Sequence, residues 1–325
     1  MKKLTIFAMT KKGKSVISAI HSKYPEMIEA VISSRDSGTA EDCYEEISEF
    51  CRRNAIAFYD RRSTFSISTD FALAISWRWL IDVNSSRLIV LHDSLLPRYR
   101  GFNPLVTALI NGDNKIGVTA LFATQKYDTG DIIAQSETTI DYPITISEAI
   151  DAIQENYVSL GLEIAKVLHS DAQFSSQPQN ENFASYSLWR DDEDYFIDWT
   201  ETANTIKRTI DAVGFPYKGA ASVVDGKVVR LLQASTLGDV NIENRTPGKV
   251  IFTEDTKPIV VCGKGLRKID ELRDNRGISM LPLPKYRMRF KQFVGQVFPS
   301  DPDKPHKCLS VGGKKVDGHD IAYPD

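Results

Sequence analysis

The sequence predicts an α/β fold in the first part of the chain and a small β domain after it. Three observations support this prediction. In the first 170 residues, short apolar runs alternate with amphipathic helical segments, which is typical of a mostly parallel sheet covered on both sides. Residues 171–184 are polar and rich in Ser, Gln and Asn, as in a linker. Short β-rich pieces separated by Gly, Pro and Asn turns then predict a small barrel or a curled sheet.

The elements of the first part follow from periodicity. The runs at 71–77 and 88–92 are continuously apolar, the pattern of strands buried on both faces. In the segment 39–54, apolar residues recur at the spacing of a helix. The strands are predicted at 4–9, 27–34, 71–77, 88–92, 117–123 and 131–135, and the helices at 15–24, 39–54, 103–111 and 144–170.

The second part has one predicted helix, at 200–213. The β-rich pieces after it lie at 220–226, 227–235, 248–252, 258–263 and 266–272. Residues 301–325 contain few apolar residues, and we assign no role to this extension.

Composition limits the function classes. The 325 residues are 42% hydrophobic and 26% charged, which excludes disordered, collagen-like and coiled-coil proteins. The four cysteines match no metal-finger spacing, and no apolar run approaches the roughly 18 residues of a membrane helix. We therefore expect a cytoplasmic protein with no metal and no membrane partner.

Charge is distributed unevenly along the chain. The net charge is −3, which disfavours a globally basic nucleic-acid binder. Residues 1–200 contain 19 basic and 28 acidic side chains, whereas residues 201–300 contain 17 basic and 10 acidic ones. The second part is therefore the one suited to an anionic partner.

Two residues are candidates for chemistry. His92 ends a predicted buried strand, and ligands of open α/β sheets bind outside the carboxyl ends of the strands. Asp128 lies in the loop between two later strands, where a carboxylate near His92 would orient its ring. The alternatives are a histidine that closes a strand on a backbone carbonyl and an aspartate that favours a turn.

The residues around this pair resemble a known family. The segment HDSLLPRYRG begins at His92, and Asp128 follows 36 positions later in YDTGDI. This pattern is similar to that of formyltransferases that use N10-formyltetrahydrofolate. The resemblance is strong over 71–152. It extends to pieces of the second part: SLWR, IDW, GFPYKGA, PGKVIF and VCGKGL.

The resemblance implies a fold and a domain organisation. It implies a Rossmann-like parallel-sheet formyltransferase domain at 1–170, which binds folate. A linker at 171–184 and a small OB-like β-barrel domain at 185–300 would follow. The barrel domain would either bind ligand or form a homodimer interface.

The resemblance also implies roles for individual residues. In formyl transfer to an amine, His92 would stabilise the oxyanion and Asp128 would accept the amine proton, without a metal. The N10-formyltetrahydrofolate donor would be bound by Trp77, Arg78, Trp79, Leu80, Ile81, Gln125, Lys126 and Tyr127. The acceptor would be bound by Ser94, Arg98, Tyr99 and Arg100. The two tryptophans are equally consistent with core aromatics.

One position departs from the family. The family has an Asn-x-His motif, and in this chain Val90 takes the place of the Asn. Loss of one oxyanion donor typically costs on the order of 10²–10³ in rate. The related formyltetrahydrofolate dehydrogenases also have an aliphatic residue here, so an active site without the Asn is consistent with the resemblance.

Three acceptors compete. A nucleotide-linked amino sugar is favoured, because residues 281–290 (LPLPKYRMRF) resemble the closing segment of sugar-nucleotide N-formyltransferases. Methionyl-tRNA would suit the basic second part. However, the first part is acidic and its start differs from those enzymes, so we do not expect a tRNA partner. Water is the third acceptor, in a formyltetrahydrofolate hydrolase; with Val90, the site could also belong to a folate-binding protein without catalysis.

Overall fold

The computed structural model of the protein describes residues 2–36, 41–81 and 87–292. The strands of these residues are β1 (Leu4–Ala8), β2 (Ile28–Ser33), β3 (Ala57–Asp60), β4 (Phe71–Ile75), β5 (Arg87–His92), β6 (Arg100–Gly101), β7 (Lys115–Phe122), β8 (Ile132–Thr139), β9 (Tyr186–Ser187), β10 (Ala220–Val224), β11 (Lys227–Leu237), β12 (Val250–Glu254), β13 (Lys257–Val261), β14 (Leu266–Asp274) and β15 (Phe290–Lys291). The helices are α1 (Thr10–Lys23), α2 (Tyr44–Arg53), α3 (Pro104–Asn111), α4 (Ile146–His169) and α5 (Ala203–Ala212). Short 3₁₀ helices lie at Glu181–Phe183 and Glu193–Tyr195.

Seven strands form the first sheet, in the order β3-β2-β1-β4-β5-β7-β8. The first five pair in parallel, and β7 and β8 are antiparallel to their neighbours. The predicted mostly parallel α/β sheet is therefore confirmed. The strand order reverses between β1 and β4, and the crevice beside the carboxyl ends at such a reversal is where open α/β sheets bind ligands.

The two faces of this sheet are covered differently. On one face, inward side chains of β1 and β4 pack with α1, α2 and α4 in the main apolar core. On the other face, Phe7 and Ala72 are covered by loop side chains, including Phe65, Ile67 and Trp77. The described residues that cover this second face are thus irregular chain, not helix. His92 and Val90 lie on this side, since alternate residues of a strand share a face.

The second sheet has six strands, in the order β12-β13-β14-β11-β10-β15, all antiparallel. Its two ends are hydrogen-bonded to each other. The Val250 amide donates to the Met288 carbonyl at 3.1 Å, and the Phe290 amide donates to the Gly248 carbonyl at 2.7 Å. Gly248 has a φ of +83°, and a Cβ there would lie 2.1 Å from the Phe290 oxygen. The predicted curled sheet is therefore confirmed, and that it is an OB-like barrel stays a prediction.

The described residues form a single compact unit. Helix α5 of the second part packs on α3 of the first, and the Arg208 Nε donates to the Ile110 carbonyl at 2.8 Å. The boundaries predicted at 170 and 184 stay predictions. Residues 293–300 of the second predicted domain and the extension at 301–325 lie outside the described residues. In the described part of the chain, no helix is both long and apolar enough to cross a membrane.

Candidate active site

His92 is the last residue of β5 and opens onto the carboxyl end of the first sheet. Its residue surface is 8% exposed. The ring Nε2 lies 2.8 Å from the Tyr99 carbonyl oxygen, and Nδ1 lies 3.5 Å from Oδ1 of Asp128. Both ring nitrogens therefore face oxygen atoms of neighbouring segments. The structure therefore brings together the two residues predicted to be catalytic.

Asp128 is held by the turn between β7 and β8. Its backbone is left-handed, with a φ of +57°. Its second carboxylate oxygen, Oδ2, accepts a hydrogen bond from the Gly101 amide at 2.8 Å. A Cβ at Gly130 would lie 1.8 Å from the Phe122 oxygen, so only glycine fits at that point of the turn. The carboxylate therefore bridges the Gly101 amide and the His92 ring.

Of the four residues predicted to bind the acceptor, Ser94, Arg98 and Tyr99 lie in the loop between β5 and β6, and Arg100 begins β6. Ser94 is buried, and its hydroxyl donates to the Arg98 carbonyl at 2.8 Å. The Tyr99 hydroxyl donates to Asp113 at 2.9 Å, and Arg98 donates to the Tyr99 hydroxyl at 2.6 Å. Arg100 is 0% exposed. The contacts described for all four side chains lie within the protein, and their role in acceptor binding stays a prediction.

A buried ion pair lies directly beside His92. Lys12 Nζ is 2.5 Å from Asp93 Oδ2, and the Tyr157 hydroxyl donates to the other carboxylate oxygen. Burial by itself would raise the pKa of Asp93. The Lys12 charge and the hydrogen bonds from Lys12 and Tyr157 hold it below its usual value instead. Sequence analysis missed this pair, because 81 positions separate its members.

Val90 stands where the family has an asparagine. It is half-buried and packs against an apolar cluster of Leu96, Leu121 and Ile132. An amide in that cluster would need hydrogen-bond partners to offset its desolvation. Val90 is therefore a fitted apolar residue of this face, on the same side of β5 as His92.

The residues predicted to bind folate lie in two segments, one after β4 and one in the turn between β7 and β8. The Trp77 ring packs edge-on against Phe7 and Trp79, with centroids 5.2 and 5.1 Å apart. Arg78 forms an ion pair with Asp36. Leu80 is 84% exposed and Ile81 is half-buried. Their assignment to the donor stays a prediction.

The second folate segment precedes Asp128 in the same turn. Gln125 and Lys126 are exposed, and Tyr127 is 45% exposed. Among the side chains of the described ranges, the buried Trp77 Nε1 is one of six polar groups with a buried atom that has no hydrogen-bond partner. Within residues 2–36, 41–81 and 87–292, no group of three or more His, Cys, Asp or Glu could hold a metal ion.

Gln179 and Glu181 contact Arg100, and Gln179 also contacts the turn that holds Asp128; sequence analysis missed both. They lie in the segment that its polar composition predicts to be a linker. Glu181 forms an ion pair with Arg100, with Oε1 2.7 Å from Nη2. Gln179 hydrogen-bonds to Arg100 and to the carbonyls of Asp128 and Gly130. Nothing in a single sequence indicates these partners, which lie 49 to 81 positions away.

Two family models match the chain. The model described as formyl transferase matches residues 52–161, and the model of the formyl transferase C-terminal domain matches residues 190–282. The chain belongs to the formyltransferase family. His92 and Asp128 both lie within the first match, and the resemblance inferred from the sequence is confirmed.

Curated relatives include methionyl-tRNA formyltransferases. That of Citrifermentans bemidjiense is 32% identical over 215 residues, which are 65% of this chain and 64% of that protein. That of Fusobacterium nucleatum is 28% identical over 232 residues, 67% of this chain and 74% of that protein. The matched region thus spans about two thirds of the length of these relatives.

Solved structures share the fold at low identity. WlaRD, a sugar 3N-formyl transferase crystallised in the presence of dTDP and 5-N-formyl-THF, has a TM-score of 0.63 at 18% identity. The match covers 84% of this chain and 98% of WlaRD. HypX from Aquifex aeolicus, in complex with tetrahydrofolic acid, has a TM-score of 0.56 at 19% identity, covering 84% of this chain and 44% of HypX. The two-part arrangement of this chain is therefore also found in other proteins.

Proposed function

We propose that the protein transfers a formyl group from N10-formyltetrahydrofolate to the amine of a nucleotide-linked amino sugar. The observation that carries the proposal is the contact between His92 and Asp128 at the carboxyl end of the sheet, where Nδ1 of the ring lies 3.5 Å from Oδ1 of the carboxylate. The Asp128 carboxylate also accepts a hydrogen bond from the Gly101 amide, and this bond fixes the direction of the carboxylate. Family membership supports formyl transfer as the chemistry.

The proposed reaction uses both residues of the pair. The lone pair of the neutral amine forms a bond to the formyl carbon, and the carbonyl electron pair moves to the formyl oxygen. The Nδ1–H of His92 stabilises this oxyanion, since Nε2 is already bonded to the Tyr99 carbonyl. Asp128 accepts the amine proton, directly or through a water molecule. Collapse of the intermediate restores the carbonyl and breaks the bond to N10 of the folate, which takes up a proton.

The amino-sugar acceptor is supported by the ion pairing of basic side chains in the second part of the chain. In the described range 201–292, eight of the 17 basic side chains form ion pairs with carboxylates: Lys207, Lys218, Arg245, Lys257, Lys268, Arg273, Arg276 and Lys285. Local pairing reduces the field available to a polyanion. A single pyrophosphate needs only a small cationic surface. The acidic excess of residues 1–200 also disfavours a tRNA partner.

Calorimetry with the purified protein tests the proposal. The donor probe is 5-formyltetrahydrofolate, a non-reactive analogue, titrated alone and then with a panel of nucleoside diphosphates. We expect folate binding and selective binding of one diphosphate. With N10-formyltetrahydrofolate as the donor, we then expect formyl transfer to the matching amino sugar. His92→Ala should abolish turnover while the protein stays folded. Absence of folate binding would overturn the assignment.

Methionyl-tRNA is the second candidate acceptor, and the relatives named above favour it. The same preparation is tested with charged initiator tRNA at low and moderate salt, because phosphate contacts weaken steeply as salt rises. Folate binding without any nucleoside diphosphate response, together with formylation of the tRNA, would replace the amino sugar by tRNA.

A further inference from the structure

We propose that Gln179, acting with Arg100 and Glu181, is a positioning residue that holds Asp128 against His92. The inference rests on the formyl transfer proposed above. It assigns a role to the polar segment after α4, which contributes no side chain to the chemical step itself.

The Gln179 carboxamide joins two loops. Its oxygen accepts hydrogen bonds from Nε and Nη2 of Arg100, at 3.0 and 2.8 Å. Its nitrogen donates to the carbonyl oxygens of Asp128 and Gly130, each at 2.8 Å. Only a side-chain amide can accept at one end and donate two hydrogen bonds at the other with this reach. Gln179 therefore ties the Arg100 loop to the turn that carries Asp128.

Arg100, to which Gln179 bonds, is itself held in a fixed position. Its side chain is fully buried, and a buried charge is stabilised only when it is paired and hydrogen-bonded. Glu181 supplies both carboxylate oxygens, 2.9 Å from Nη1 and 2.7 Å from Nη2. The Arg100 amide donates to the Ser185 carbonyl at 2.8 Å. The segment from Gln179 to Ser185 thus holds Arg100 by its side chain and its main chain.

The residues on either side of Arg100 contact the catalytic pair. The Tyr99 carbonyl oxygen contacts Nε2 of the His92 ring. The Gly101 amide donates a hydrogen bond to the Asp128 carboxylate. A shift of Arg100 therefore moves the partners of both catalytic side chains. A displacement of about 1 Å in such a site can lower the rate 10²-fold.

Two variants of Gln179 and one control test the inference in the full chain. Gln179→Leu keeps the size and removes all four hydrogen bonds. Gln179→Glu keeps an acceptor for Arg100, but places a carboxylate against the two carbonyl oxygens. Gln177→Ala is the matched control, because Gln177 lies in the same segment and bonds to Ile132 through its main chain.

We expect both Gln179 variants to lower kcat about ten- to hundredfold. The affinity for 5-formyltetrahydrofolate should fall less than kcat does, because only one of the two predicted folate segments, residues 125–127, shares the turn that Gln179 holds. The amide of Gly101 should exchange with solvent faster than in Gln177→Ala. Normal kcat in Gln179→Glu would overturn the inference, because donation to the Asp128 turn would then be dispensable. A loss of folate affinity equal to the loss of kcat would also overturn it, since general disruption of the site would explain both.

The exchange measurement separates this inference from the proposed function. If the wild-type protein binds no folate analogue and transfers no formyl group, the proposed function fails. The exchange rate of the Gly101 amide still tests the inference in that case. Faster exchange in Gln179→Leu than in Gln177→Ala supports the positioning of Asp128, and equal exchange contradicts it.

Discussion

Asp128→Asn tests the role of the charge on the candidate base while changing the shape of the side chain little. In the wild-type protein, Oδ2 accepts the Gly101 amide at 2.8 Å and Oδ1 faces the His92 ring at 3.5 Å. An asparagine amide nitrogen cannot face the Gly101 N–H, because two donors would meet. Its oxygen therefore stays on Gly101, and its nitrogen turns towards His92. The ring then faces a donor at the position where it had an acceptor.

The expected loss is large. General-base catalysis contributes about 10²–10⁴ in rate. This corresponds to about 2.7–5.4 kcal/mol in the activation free energy, at about 1.36 kcal/mol for each factor of ten. We therefore expect kcat for formyl transfer to fall at least about a hundredfold in Asp128→Asn. The free energy of unfolding should change by only about 1–2 kcal/mol, because the hydrogen bond to Gly101 is retained.

Steady-state formyl transfer and urea unfolding measure the two quantities. Asp131→Asn is the matched control, since Asp131 is an exposed aspartate of the same loop. It should retain the kcat of the wild-type protein. If Asp128→Asn kept more than a tenth of that kcat, Asp128 would not be the base.

Three further substitutions test the surroundings of the site. Val90→Asn should lower the free energy of unfolding by about 1–3 kcal/mol in urea, because its amide enters an apolar cluster; unchanged stability would mean that the amide finds partners there. Lys12→Met should lower the free energy of unfolding by about 3–5 kcal/mol at pH 7, because it leaves the Asp93 carboxylate charged and without its ion-pair partner. Since the folded-state pKa of Asp93 is lowered, the pair stabilises the protein above the unfolded pKa, and the difference from wild type should shrink as the pH falls through the lowered pKa. Gly130→Ala should shift the turn that carries Asp128 and lower kcat, whereas Gly238→Ala, with no atom within 4 Å of the added carbon, should not.

Periodicity predicted the first sheet because its central strands are buried on both faces. The run Phe71–Ile75 is apolar throughout and forms β4, with every residue buried. The strand β3, Ala57–Asp60, was not predicted. It lies at the edge of the sheet with no fully buried residue, so its sequence lacks the continuous apolar run of its neighbours.

That His92 and Asp128 lie close together was predictable, because the sequence motif and the sheet topology both place them at the same edge of the sheet. His92 ends a buried strand, and the spacing to Asp128 matches a family pattern. The hydrogen bonds that fix the pair were not predictable, because they depend on backbone atoms. The Tyr99 carbonyl and the Gly101 amide have no side-chain signature in the sequence. The polar composition around Gln179 predicts a solvent-exposed segment. It gives no sign that the Gln179 side chain contacts the buried Arg100.

The bonds between the two ends of the second sheet have a consequence for the solubility of shortened chains. The Phe290 amide and the Met288 carbonyl cover backbone groups at Gly248 and Val250, while Lys291 pairs with Val223 of β10. A chain cut before residue 288 would expose the backbone groups of two strands at once. Exposed strand edges are templates for pairing with other chains. Such a fragment would self-associate through these edges, although every residue of the active site would still be present.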